Sequence, residues 1–174
     1  MPIPQARDVD LTRTQLTAWL RRKLGDATDV AIGEIGLPSG SGFSNETLLI
    51  DASWRERGTA VEARFVARVK PTAYAIFPEY DLYRQYRVME LLAPTSVPVP
   101  RMQWYEEDGS ILGQPFYVME RVDGMIPSDH PPFTTGGWLF DATPDQQRAL
   151  ARSALAVLAD LHRLDWRALG FDFL

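Results

Sequence analysis

The sequence predicts an α+β fold built on a five-stranded antiparallel sheet. Three observations predict it. Residues 61–70 alternate between apolar and polar side chains with the period of a half-buried strand. Amphipathic segments with helix-capping residues stand near both ends of the chain. A Gly- and Ser-rich turn, Gly40-Ser41-Gly42-Phe43-Ser44-Asn45, lies between two apolar segments with strand-like composition. Short links between the strand-like segments favour an antiparallel meander.

Length and composition narrow the function classes. The 174 residues suffice for one domain, or a lobe and a half. A hydrophobic content of 45% with 24% charged residues is that of a soluble globular chain. The formal net charge of -5 argues against a broad basic surface and so against nucleic acid as a partner. The absence of cysteine excludes disulfides, thiolate metal sites and a Cys nucleophile, and fits a cytoplasmic location. No apolar run reaches the ~20 residues of a membrane helix, and Met1-Pro2-Ile3-Pro4-Gln5 carries no signal-peptide core.

Asp10–Leu24 reads as an amphipathic helix, with Leu11, Leu16, Trp19, Leu20 and Leu24 as its stripe, Asp10 as N-cap and Gly25 as stop. Strands are expected at Val30–Gly36 and Thr47–Ala52, joined by the Gly-rich turn, with a polar connection at 54–58. In Val61–Lys70, Val61, Ala63, Phe65, Ala67 and Val69 face one way, and Glu62, Arg64, Val66, Arg68 and Lys70 the other. Pro78 to about Ala93 reads as a helix with Pro78 in its first turn and Leu82, Tyr86, Met89 and Ala93 as its stripe. Residues 95–100 form an extended linker, because a residue before proline is pushed out of the helical region. Residues 101–106 and 114–122 read as a hairpin turning at Asp108-Gly109. Residues 124–142, rich in Pro and Gly, read as a loop between substructures. Thr143, Pro144 and Gln146 then open a helix with a capping box, whose buried stripe is expected to be Leu150, Ala154, Val157, Leu158 and Leu161. Five strands, one inserted helix, a hinge and the first helix of a helical region make the layout of a kinase-type N-terminal lobe. The boundary is expected after residue 122: residues 1–122 as the sheet lobe with a leading helix, and 123–174 as hinge exit, loop and the start of an incomplete helical lobe.

The Gly-rich turn is where chemistry is expected. Two glycines flanking a serine let the backbone turn sharply, and successive N–H groups in such a turn form a concavity suited to phosphate. On its own the pattern is also that of an ordinary hairpin turn. A dinucleotide-binding fingerprint is disfavoured, because the turn leads into another strand rather than a helix.

The chain resembles the N-terminal half of the aminoglycoside phosphotransferase and choline kinase family. The resemblance rests on Gly42-Phe43-Ser44-Asn45-Glu46-Thr47, Val97-Pro98-Val99-Pro100, Pro115-Phe116-Tyr117-Val118-Met119-Glu120-Arg121-Val122-Asp123-Gly124 and Leu158-Ala159-Asp160-Leu161-His162 in that order. It implies that Gly40–Asn45 covers the phosphates of ATP, with Phe43 at the tip. It assigns a strand cation to the α- and β-phosphates, matched here by Arg68 or by Lys70 two residues on. The helical Glu that pairs with that cation is replaced by Gln85, a departure that removes the usual ion pair unless Asp81 substitutes. Met119-Glu120-Arg121-Val122 matches the hinge, so adenine would accept from the Val122 N–H and donate to the Glu120 carbonyl, with Met119 behind the base.

The resemblance also implies ATP and Mg²⁺ as cofactors, with the metal ligands and the catalytic loop outside this chain. No His-x-Asp catalytic loop with its following Asn is found here. His162 reads as a packing or capping residue and His130 lacks a partner pattern. The expectation is therefore the ATP-binding part of an ATP-dependent small-molecule phosphotransferase that phosphorylates a hydroxyl when the catalytic lobe is present, and is inactive alone. That lobe would hold most of the substrate and could belong to a second chain. The alternative, from another class, is a non-catalytic nucleotide-binding or protein-interaction module. A lobe standing alone would expose the stripe of its last helix, and such a surface seeks a partner.

Overall fold

The computed structural model describes residues 7–37, 46–71 and 80–174. The order of elements is α1 (Val9–Leu24), β1 (Thr28–Gly36), β2 (Glu46–Glu56), β3 (Thr59–Val69), α2 (Leu82–Leu92), β4 (Met102–Glu106), β5 (Phe116–Glu120), α3 (Trp138–Asp141) and α4 (Pro144–Arg163). The chain divides into two compact units, Met1–Glu90 with Pro100–Arg121, and Leu91–Val99 with Val122–Leu174.

In the first unit the five strands form one antiparallel sheet in the order β1-β2-β3-β5-β4. The alternation expected for 61–70 sets its core face. Phe65, Ala67 and Val69 of β3 lie buried with Leu48 and Ile50 of β2, Phe116 and Val118 of β5, and Leu16, Trp19 and Leu20 of α1. Trp19 packs edge-on to both Trp104 and Phe116, with centroids 5.5 and 5.1 Å apart, the geometry that aromatic quadrupoles favour.

α1 begins two residues earlier than its sequence suggests. Asp8, not Asp10, is the N-cap, its carboxylate accepting from the Leu11 N–H at 3.0 Å. The buried stripe is correspondingly Thr12, Leu16, Trp19 and Leu20, while Leu11 is 54% exposed. Thr12 tolerates burial because its hydroxyl donates to the Asp8 carbonyl at 2.6 Å.

The polar stretch 54–58 is not a long connection. β2 runs to Glu56 and β3 starts at Thr59. Arg57 and Gly58 turn the chain with φ of 50° and 83°, the paired positive φ values of a tight hairpin. The β4–β5 link is longer than a two-residue turn. The Asp108 carboxylate accepts from the Ser110 N–H at 2.9 Å, and Leu112 returns to the core before β5 begins.

In the second unit, Thr95 closes α2: its N–H and hydroxyl donate to the Leu92 carbonyl at 2.9 and 2.7 Å. α3 follows the Pro-rich loop, with the Trp138 indole donating to the Ile126 carbonyl at 3.0 Å. α4 carries the expected capping box between Thr143 and Gln146. Its stripe, however, is not buried. Leu150, Leu158 and Leu161 are 39–47% exposed, and no residue of α4 is buried. Periodicity finds an apolar face but does not supply what covers it. Part of that face, Leu150, Ala151 and Ala154, lines an apolar groove of about 650 Å³ with Phe133, Leu139 and Phe140.

Candidate functional site

Alternation places the other half of β2, β3 and β5 on the sheet face away from α1. The pairing register stacks these residues in rows across the three strands. Thr47, Arg68 and Tyr117 form one row, and Leu49, Val66 and Met119 the next. Asp51 and Arg64 form a third, joined by Arg121, whose N–H donates to the Arg64 carbonyl at 2.9 Å. The face is therefore cationic, then apolar, then ionic along the strands.

The first row holds Arg68. Its guanidinium donates through Nη1 to the Thr47 hydroxyl at 3.2 Å. Across the register on the other side stands Tyr117, itself buried. Burial pushes the Tyr117 phenol above its ordinary pKa, against the pull of the Arg68 charge, so a neutral ring lies beside the cation at neutral pH. Tyr117 also contacts Tyr86 of α2 at 6.2 Å between centroids, and Tyr86 and Tyr83 meet Tyr105 of β4 at 5.7 and 5.1 Å. α2 is thus seated on the sheet through tyrosines.

The second row is an apolar strip flanked by a glycine. Gly36 of β1 pairs with Leu49, and a Cβ there would stand 3.2 Å from the Leu49 Cβ. In the third row, Arg121 and Arg64 approach Asp51 at 3.3 and 3.8 Å.

The expected site residues fall as follows. Arg68 and Met119 share the sheet face in adjoining rows. Lys70 follows the last residue of β3, where its N–H donates to the Pro115 carbonyl at 3.0 Å. Gln85 is half-buried on α2. Asp81 serves as a cap for that helix, accepting from the Arg84 N–H at 2.8 Å and pairing with its guanidinium at 3.4 Å. Glu120 ends β5, its N–H donating to the Arg101 carbonyl at 2.9 Å. Val122 opens the second unit and is 69% exposed. Gly40, Ser41, Gly42, Phe43, Ser44 and Asn45, like Pro78, lie outside the described residues.

Two partners were missed by sequence reasoning. Thr47 is expected as the start of a strand and the end of a motif, and Tyr117 as part of a strand and a motif, neither with a role at the site. A further anchor is Arg7, which grips the Glu46 carboxylate with Nε and Nη2 at 2.5 and 2.6 Å and reaches the Leu112 carbonyl at 3.3 Å. These residues lie 39 and 105 positions apart, and no local pattern links them. Among the described residues no group of three His, Cys, Asp or Glu is placed to hold a metal ion, and no helix is long and apolar enough to cross a membrane.

A five-stranded antiparallel sheet with α2 on the face that carries a strand cation is the N-terminal lobe of a kinase-like fold. Comparison with known proteins agrees: residues 37–174 match the phosphotransferase enzyme family, APH, and the chain belongs to that family. Its fold is similar to that of a Ralstonia eutropha protein assigned as an aminoglycoside phosphotransferase, with a TM-score of 0.59 and 30% identity over 91% of this chain and 40% of that one. It is also similar to rat acyl-CoA dehydrogenase family member 11 (33% identity over 132 residues) and to an Arabidopsis thaliana protein named as an acyl-CoA dehydrogenase (31% over 134 residues). Each match covers 76% of this chain, which spans only 15% of those two proteins' length.

Proposed function

We propose that this chain carries the ATP-binding part of a small-molecule phosphotransferase. The observation that carries the reading is the row Thr47–Arg68–Tyr117 beside the apolar row Leu49–Val66–Met119 on one sheet face. A phosphate chain needs a fixed cation and a base needs a flat apolar surface. The register sets these in neighbouring rows, and Thr47 and Leu49 lie on the strand that follows the Gly-rich stretch 40–45 in sequence. Arg68 rather than Lys70 is the cation of this reading, because its position is set from β2 as well as β3.

Mg²⁺ would supply charge neutralisation at the phosphates when bound. Phosphoryl transfer also needs metal ligands and a group that orients the acceptor hydroxyl. The described residues present no such metal cluster, so the chain alone is expected to bind ATP without transferring its phosphate. The acceptor is a hydroxyl of a small molecule held mainly by residues outside this chain. The acyl-CoA dehydrogenase names describe proteins of which this chain matches a small part, and are not carried over to it.

Calorimetric titration with ATP and with adenosine tests the reading. Arg68→Ala should weaken ATP binding at least tenfold, the scale of about 1.4 kcal/mol or one charge-assisted contact, and leave adenosine binding unchanged. Wild-type protein that fails to bind ATP, or an Arg68→Ala variant that binds it equally well, would overturn it. Phosphate release by the purified chain would overturn the inactive-alone part.

A further inference from the structure

Glycine is a poor strand residue, and in a sheet it often marks a place where another group comes close to the backbone. Gly36 is the last residue of β1. Its φ lies outside the left-handed region that favours glycine, which leaves space as the physical reason for glycine here. We propose that Gly36 is a positioning residue for Leu49: the missing side chain lets Leu49 lie across β1 and present a flat apolar surface to a nucleotide base. The inference rests on the nucleotide-binding reading above and deepens it by naming what shapes the surface under the base.

The pairing register supports this. Gly36 pairs with Leu49, Leu49 with Val66, Val66 with Met119, and Met119 with Met102. Residues directly opposite each other on antiparallel strands share a face, so the apolar row crosses all five strands and Gly36 ends it. Leu49, Val66, Met119 and Met102 are half-buried rather than closed into the core. An ordinary cross-strand pair keeps its Cβ atoms about 4.5–5.5 Å apart. A Cβ on Gly36 would stand 3.2 Å from the Leu49 Cβ, 3.5 Å from its Cδ1 and 3.7 Å from its Cγ. The leucine therefore leans toward β1, over the space that a side chain at residue 36 would claim. A methyl group there would push Leu49 off this position or β1 away from β2, and would raise a step at the β1 end of the row. A planar ring loses contact across such a step, because a gap of about 0.5–1 Å already forfeits a quarter to a half of the dispersion attraction.

The test uses the full chain with Gly36→Ala and, as a second variant, Leu49→Ala, which removes the leaning side chain without adding an atom to β1. Affinities are measured for adenosine, for ATP and for inorganic tripolyphosphate. The Leu49 methyl resonances are followed by NMR as adenosine is added to the wild type. The ring current of a bound base should shift those methyls. Both variants should lose about tenfold in adenosine and in ATP affinity, the order expected when one apolar side chain no longer covers a ring. Tripolyphosphate has no base, and its affinity should stay unchanged. Leu49 methyls that saturating adenosine leaves unmoved, or a Gly36→Ala variant that binds adenosine as the wild type does, overturn the proposal and leave the nucleotide reading in place. So does an equal loss for tripolyphosphate, because a merely structural role would weaken every ligand. Should Gly36→Ala fail to fold, Leu49→Ala and the wild-type methyl shift carry the same expectations, and either can overturn the proposal. A wild-type chain that binds neither adenosine nor ATP overturns the nucleotide reading and this proposal together.

Discussion

At the scale of single residues, Glu106 shows how a half-buried charge is used for fold rather than chemistry. Its side chain is 16% exposed and receives the Trp19 indole at 2.8 Å and the Lys23 ammonium at 3.0 Å, both from α1, with the Asp108 N–H at 3.2 Å. Burial alone would raise its pKa. The donors from Trp19, Lys23 and Asp108 outweigh that and hold it below the usual carboxylate value. A carboxylate with a lowered folded-state pKa stabilises the fold above its unfolded pKa, and that contribution is lost as the pH falls through the folded value. Glu106→Gln should therefore cost about 1 kcal/mol at pH 7, the worth of an ordinary hydrogen bond. The difference from wild type should shrink as the pH drops below the carboxylate range. Denaturant unfolding at pH 7 and pH 3 measures both, and a gap that does not narrow would rule the assignment out. Nothing in the sequence near Glu106 announces this role, since its two partners on α1 lie 83 and 87 positions away.

At the scale of elements, legibility followed periodicity. β3 was readable because one of its faces is uniformly apolar over 61–69. The candidate site was readable only in part, because its rows are made by register across three strands, and register depends on partners that no single strand encodes. Arg68, with Lys70 as its alternative, is singled out only by the family resemblance, whereas Thr47 and Tyr117 look like ordinary strand residues. Errors gathered at the ends: the α1 cap shifted from Asp10 to Asp8, and the 54–58 connection shrank to the Arg57-Gly58 turn. The burial of α1 gives the element-scale prediction. Leu16 is fully buried between this helix and the sheet, so Leu16→Ala should destabilise the first unit by about 2–5 kcal/mol, the range for emptying a core leucine site. A loss under about 1 kcal/mol in chemical denaturation would mean that α1 packs more loosely than its contacts indicate.

At the scale of the whole molecule, the exposed apolar surface is that of α4. The helix is well formed locally: Thr143 and Gln146 close its capping box, Pro144 occupies its first turn, and His162 and Arg163 sit in its last, where cations favour the negative end of the helix dipole. Yet Leu150, Leu155, Leu158 and Leu161 are 39–65% exposed. Helices of this length derive most of their stability from burying an apolar face rather than from propensity. An exposed face of leucines on one helix is a surface that favours association. The chain of 174 residues should therefore enhance the fluorescence of an apolar dye such as ANS and elute in a concentration-dependent way from a sizing column. Leu158→Lys with Leu161→Lys, both on the exposed side, should lower dye binding several-fold without changing ATP affinity, because neither residue belongs to the sheet that carries Arg68. A monomer at all concentrations with no dye response would show instead that this leucine face is covered in solution.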